Sequence, residues 1–133
     1  MSFMDLFKSR ESREKLSHFR NLVLLAHADG KLTKSEMAAL AIVMAREGIT
    51  ESDLERCVKN PKGIKFIPPQ TLEQQVTYLK DMVLLMMCDG EIDEREMALC
   101  KATAIALGFE HEVIDAIIMD IIADIKRNNN FTK

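Results

Sequence analysis

The chain has 133 residues with 18 Lys and Arg against 21 Asp and Glu, a formal net charge of −3 at pH 7. This length suits one domain with its own core, and the absence of a basic excess argues against a nucleic-acid partner. We expect a cytoplasmic protein without membrane insertion, because no apolar stretch reaches bilayer length, the N-terminus lacks a secretory signal, and the three cysteines form no CxxC pair.

An internal repeat organises the chain. Residues 22–40 (LVLLAHADGKLTKSEMAAL) recur as residues 82–100 (MVLLMMCDGEIDEREMALC), at an offset of 60 residues. Repetition at a fixed offset indicates one structural unit used twice. The chain is rich in Ala, Leu, Ile and Met, which favours helix over sheet. We predict an all-α fold, a compact bundle of about six to seven helices built from two helix–loop–helix repeats related by a pseudo-twofold axis.

The first half of the chain predicts a short helical turn at 3–8 and then two longer helices. The first runs from about 13 to 28 with Ser12 as N-cap and has apolar residues at helical spacing. The second begins at Thr33 and ends at Gly48, a residue suited to the left-handed conformation after a helix. Repeat one is thus expected at about 13–60 of a single domain that spans 1–133.

The middle and second half of the chain predict further helices around an irregular connector. A short helix leads toward Lys59, and Pro and Gly interrupt the connector at 60–71. Repeat two is expected at about 72–126, with helices at 72–88 and about 93–107. The last helix carries an apolar stripe that predicts its buried face, made of Val113, Ile114, Ile117, Ile118, Ile121, Ile122 and Ile125.

The repeated loop carries two carboxylates in each copy, Asp29 with Glu36 and Asp89 with Glu96. If each aspartate stands at position 5 of an EF-hand calcium loop, each glycine falls at position 6 and each glutamate at position 12. Positions 1 and 3 should then be acidic, but they are Leu and His in one copy and Leu and Met in the other. We therefore exclude an EF-hand.

The doubled pattern in AHADGKLTKSEMAAL and MCDGEIDEREMALC, an apolar run, Asp-Gly and a Glu in the next helix, resembles the TerB-like family. That family includes a bacterial tellurite-resistance protein and the N-terminal domain of a membrane-anchored DnaJ-type co-chaperone. The resemblance implies a role in bacterial stress or tellurite-resistance-type systems and a divalent-cation site formed here by Asp29, Glu36, Asp89 and Glu96. No residue argues for tellurium chemistry itself.

The two loops differ in charge. The first contains Lys31 and Lys34, whereas the second is acidic throughout. If one loop binds a cation alone, we expect Asp89, Asp93 and Glu96 to be its ligands. Ligand sets made only of oxygen favour calcium, magnesium or manganese over zinc.

A metal-free interpretation of the same carboxylates stays open. Glu36 can reach back to the amide of Thr33, and Glu96 to that of Asp93, as in a capping box. The aspartates before the glycines can bind loop amides. The protein would then be an interaction domain whose acidic loops cap helices or form a docking face for a protein partner that the sequence does not identify.

Enzyme signatures are missing from the sequence. It has no phosphate-binding Gly loop, no GxSxG and no HExxH, and His18 and His111 have no evident carboxylate or Cys partner at ligand spacing. We predict that the protein is not an enzyme. A metal-dependent hydrolase, the remote alternative, would need an open cleft beside the carboxylates.

Overall fold

The fold is all-α, as predicted. A computed structural model describes residues 9–28, 30, 32–88, 90 and 92–131, and over these it contains helices and no strand. The elements in chain order are α1 (Arg10–Ala26), α2 (Lys34–Glu47), α3 (Glu51–Lys59), a 3₁₀ turn (Pro61–Gly63), α4 (Leu72–Met87), α5 (Glu94–Leu107) and α6 (His111–Phe131). The turn predicted at 3–8 lies outside the described residues.

Side-chain caps set most helix starts where the sequence predicts them. Thr33, Thr50 and Thr71 accept a hydrogen bond from the backbone N–H three residues ahead, and each precedes a helix. The start predicted for α1 is wrong by one turn, because Ser9 and not Ser12 is the N-cap. Gly48 ends α2 with φ of 71°, as expected for a left-handed C-cap.

Helices α1 and α4 form the centre of the bundle. They pack on each other, and both also contact α2 and α5, while α3 lies on α1 and α6 lies on α4. Each buries most of the apolar run that marks the repeat, although Leu24 and Leu84 are exposed. The stripe predicted for α6 is buried at Ile114, Ile118, Ile121, Ile122 and Ile125, whereas Val113 is exposed, contrary to prediction.

The central helices run side by side in the same direction. Arg10, in the first turn of α1, donates a hydrogen bond to the carbonyl of Pro68, just before α4. Further along, Glu14 accepts from Tyr78, and His18 contacts Asp81. The positions advance together along both helices, so the loops that follow α1 and α4 leave from the same end of the pair.

The connector between the repeats is fastened to α1. The backbone N–H of Ile67 donates to Oγ of Ser17 at 2.8 Å, and the Arg20 guanidinium donates to the carbonyls of Pro61 and Ile64. Ile64 is buried in the core. No helix among the described residues is long and apolar enough to cross a membrane.

Candidate functional site

The glycines of the two Asp-Gly motifs have the same backbone conformation. After α1, the N–H of Gly30 donates to the carbonyl of His27 at 2.9 Å, and after α4 the N–H of Gly90 donates to that of Met87 at 3.0 Å. The two glycines have φ of 86° and 89°. An L-residue with a side chain is strained at such angles, so glycine is required at both turns. The repeated Gly therefore encodes a repeated turn.

Glu36 is buried and serves as a capping residue. It is 0% exposed, and its Oε1 accepts from the N–H of Thr33 at 3.0 Å. In return, the N–H of Glu36 donates to Oγ1 of Thr33 at 3.1 Å. This reciprocal pair is the capping box that the metal-free interpretation predicts, and it satisfies two amides at the start of α2.

The second loop places its carboxylates differently. Asp93 is the N-cap of α5, and its Oδ1 accepts from the N–H of Arg95 at 2.7 Å. The side chain of Arg95 also contacts this carboxylate, and these hydrogen bonds lower the pKa of Asp93. Glu96 is only 5% exposed, so it is buried as Glu36 is. Both repeats thus bury the glutamate of the motif.

The predicted cation site depends on residues outside the described part of the chain. Asp29 and Asp89 fall there, as do Lys31 and Glu91. Among the residues that the structure does describe, no three His, Cys, Asp or Glu side chains are grouped so that they could hold a metal ion. Glu36, Asp93 and Glu96 therefore do not form such a site by themselves, and the five-residue ligand set stays a prediction.

A buried polar cluster that the sequence does not predict lies between the central helices. His18 has a carboxylate partner that is not evident from the sequence, since its Nε2 lies 2.7 Å from Oδ2 of Asp81 on α4. The His18 ring also stacks on that of Tyr78, with centroids 3.8 Å apart and planes at 10°. Arg46 of α2 donates to both Asp81 oxygens, at 2.9 and 2.5 Å. We call His18, Tyr78, Asp81, Arg46 and Glu14 the buried polar cluster.

Charge compensation in this cluster centres on Asp81. Burial alone would raise the pKa of this carboxyl, but the hydrogen bonds and charges of Arg46 and His18 outweigh burial and lower it. The pKa of Arg46 is raised in turn, chiefly by its hydrogen bond to Asp81. Burial, with the nearby Glu14 carboxylate, raises the pKa of Tyr78, so the phenol stays protonated and donates to Glu14 at 3.2 Å.

A signal for this cluster is present in the sequence of α1. Glu14, Ser17, His18 and Asn21 follow one another at helical spacing and are all buried. A polar row beside the apolar face indicates that α1 is covered on two sides. The cluster contains a His–Asp pair of the kind that can act as a general base. Because His18 is only 2% exposed, the pair holds helices together and is not open to a substrate.

Comparison of the chain with protein-family models, with curated proteins and with solved structures finds no match in any of the three. The TerB-like resemblance therefore stays a prediction that rests on the repeated motif.

Proposed function

We propose that this protein is a TerB-like helical binding module that takes up divalent cations at its two Asp-Gly loops. The observation that carries the proposal is the matched conformation of the two glycines and the matched burial of the two glutamates. Each has a glycine at nearly the same positive φ, followed six residues later by a buried glutamate. Oε1 of Glu36 caps α2, and a carboxylate can accept a hydrogen bond from an amide and ligate a cation at the same time.

Burial of the two glutamates supports a role beyond capping. A capping carboxylate is usually at the surface, where water solvates its charge. Glu36 and Glu96 are both buried beside a loop that carries an aspartate. A cation bound in that loop would contact the glutamate and the aspartate together. Oxygen ligands of this kind suit calcium, magnesium or manganese.

We further propose that the two repeats are related by a pseudo-twofold axis that passes near the contact between His18 and Tyr78. These residues occupy equivalent positions at the repeat offset of 60. Helix contacts come in equivalent pairs, since α1 packs on α3 as α4 packs on α6, and α1 packs on α2 as α4 packs on α5. Both loops leave the same end of α1 and α4, so they could bind one cation jointly or one cation each.

A calorimetric titration with calcium, magnesium and manganese chloride tests the proposal. We expect heat of binding and a rise in melting temperature with the wild-type protein, because a ligand that binds only the folded state stabilises it. Asp89→Asn should weaken this response more than Asp29→Asn does, since the second loop is the more acidic. Asp124→Asn, which removes a carboxylate from α6, is the matched control. No heat and no thermal shift at millimolar cation would rule out the cation site.

The second candidate function is a metal-free protein-interaction domain, favoured by the capping box of Thr33 and Glu36. On this account Glu36→Gln and Glu96→Gln lower the melting temperature, and cations have no effect on wild type or variants. The cation proposal instead requires both variants to weaken the cation response. The same titrations therefore distinguish the two functions.

A further inference from the structure

A polar depression lies at the other end of the central helices, where α1 and α4 begin. Its walls come from the first turns of both helices and from the end of the connector. The charged residues in its lining are Arg10, Glu11, Glu14 and Glu73. The uncharged polar residues are Gln70, Thr71 and Gln74. Carboxylates outnumber cations by three to one in this lining.

Glu14 is the buried carboxylate in this lining. Glu14 is only 3% exposed, yet it lines the depression. The phenol of Tyr78 donates to Oε1 from the inner side, at 3.2 Å. No Lys, Arg or His nitrogen among the described residues lies within 4.0 Å of its carboxylate, and Oε2 accepts no hydrogen bond from them.

The neighbouring basic side chains bind groups other than Glu14. Arg10 reaches across to the carbonyl of Pro68, and Lys15 pairs with Glu11 and Glu47. Buried carboxylates in folded proteins are normally compensated by a cation or by several hydrogen bonds. The Glu14 carboxylate accepts one hydrogen bond, from the uncharged hydroxyl of Tyr78. A nearly buried carboxylate that lines a depression and has an oxygen without a hydrogen-bond donor indicates an external cation.

The nature of that cation follows from the other groups. A divalent metal ion would need several carboxylate, imidazole or thiolate ligands, and no three of these converge among the described residues. An ammonium group needs one carboxylate and a few neutral acceptors, since it donates up to three hydrogen bonds. Gln70, Thr71 and Gln74 supply neutral acceptors beside Glu14. We propose that this depression binds an alkylammonium group, with Oε2 of Glu14 as the principal acceptor.

Tyr78 provides a direct reporter of binding. Tyr78 is the only tyrosine, and the chain has no tryptophan. Its hydroxyl donates a hydrogen bond to the Glu14 carboxylate. An ammonium group on Oε2 withdraws charge from the carboxylate and weakens its bond to the phenol. Tyrosine fluorescence should therefore change on titration with the ligand. The probes are N-acetyl-lysine methylamide, which represents a lysine side chain of a partner, and 1,5-diaminopentane, which represents a free polyamine.

We expect a saturable change with at least one probe at millimolar concentration, as suits a single charged anchor. A stronger response to the lysine analogue assigns the site to a protein partner, and a stronger response to the diamine assigns it to a small amine. N-acetyl-norleucine methylamide, which lacks the ammonium group, should have no effect. Equal responses to this neutral analogue, to sodium chloride at the same ionic strength or to magnesium chloride would overturn the proposal.

Glu14→Gln provides the decisive variant. The glutamine keeps an acceptor for the Tyr78 hydroxyl but loses the charge, so at least a tenfold weaker response is expected. Without any probe, this variant should melt at a higher temperature than wild type, because an uncompensated buried charge has been removed. Glu112→Gln, at an exposed position of α6 outside the depression, is the control and should change neither property. A Glu14→Gln protein that responds as wild type or melts at a lower temperature would exclude the site, whereas Asp89→Asn should respond normally because its loop is separate.

Discussion

The His18 ring lies flat against the Tyr78 ring at a centroid distance of 3.8 Å, and the two residues stand at the same position of the two sequence repeats. One repeat contributes a histidine to this contact and the other a tyrosine. Each side chain is hydrogen-bonded to a carboxylate on the other helix. His18 of α1 contacts Asp81 of α4, and Tyr78 of α4 donates to Glu14 of α1. The polar contact thus fixes the position of α1 along α4, which apolar packing alone would leave less specific.

Removal of the Asp81 charge should destabilise the protein. Asp81→Asn breaks the two-pronged contact with Arg46 and leaves that guanidinium without its carboxylate. Loss of one partner from a fully buried pair costs about 3–5 kcal/mol. Because the Arg46 side chain is 41% exposed and water can solvate it, we expect a smaller loss, about 2 kcal/mol in the free energy of unfolding.

Urea denaturation at pH 7 measures this difference. Asp124→Asn is the control, because Asp124 makes an exposed ion pair with Arg127 on α6. Such pairs contribute about 0–1 kcal/mol. Equal losses in the two variants would show that the Asp81 contact has no special role.

The contribution of Asp81 should depend on pH in a defined direction. Its pKa is lower in the folded protein than in the unfolded chain, so the folded state holds its proton less tightly. Stabilisation is therefore complete above the unfolded pKa, about 3.9, and is lost as pH falls through the lower folded value. The difference in the free energy of unfolding between wild type and Asp81→Asn should narrow as the pH falls below about 4. A difference that stays constant as the pH falls would contradict the assignment.

Local features of this fold could be predicted from sequence, whereas the buried polar cluster could not. A cap joins a side chain to an amide three residues away, so Thr33, Thr50 and Thr71 are recognisable from their immediate neighbours. Ser9 and Ser12 are both suitable N-caps. The structure has one more helical turn before the expected start, so Ser9 is the N-cap. His18 and Asp81 are separated by 63 residues, and their contact exists only once α1 and α4 pack.

The candidate cation site could be predicted from sequence only in part. The offset of 60 predicts that Glu36 and Glu96 occupy equivalent positions, and both are buried. Sequence does not predict that Asp93 binds Arg95, since a short side chain at a helix start can also face solvent or a cation. The polar row of α1 indicates a second covered face, but it does not show that the row is buried as far as Glu14, because a glutamate beside a charged first turn is usually at the surface.

The glycines that end α2 and α5 should differ in their tolerance of a side chain. Gly48 has φ of 71° and open space where a Cβ atom would stand, so Gly48→Ala should cost only the backbone strain, about 1 kcal/mol. At Gly108, with φ of 116°, a Cβ atom would lie 2.7 Å from Nε2 of Gln75. That amide donates to the carbonyl of Leu107. Loss of this bond should add about 1 kcal/mol to the cost of backbone strain in Gly108→Ala.

A double-mutant cycle with Gln75→Ala separates strain from the lost hydrogen bond. In the Gln75→Ala background, the cost of Gly108→Ala should fall by about 1 kcal/mol, since the amide is already absent. Free energies of unfolding from chemical denaturation provide the comparison. An undiminished penalty at Gly108 would mean that backbone strain alone causes it.

The three cysteines should react at very different rates in the folded protein. Burial raises the pKa of Cys57 to about 11 and that of Cys100 to about 12, while Cys88 is only half-buried at the end of α4. The thiolate is the reactive form, and a thiol with a pKa of 11 is about 0.1% ionised at pH 8. With a chromogenic disulfide reagent at pH 8, we expect one rapid equivalent from Cys88 and two that react at least about 100-fold more slowly. Cys88→Ser should abolish the rapid phase, and three equal rates would show that α3 and α5 do not bury their cysteines.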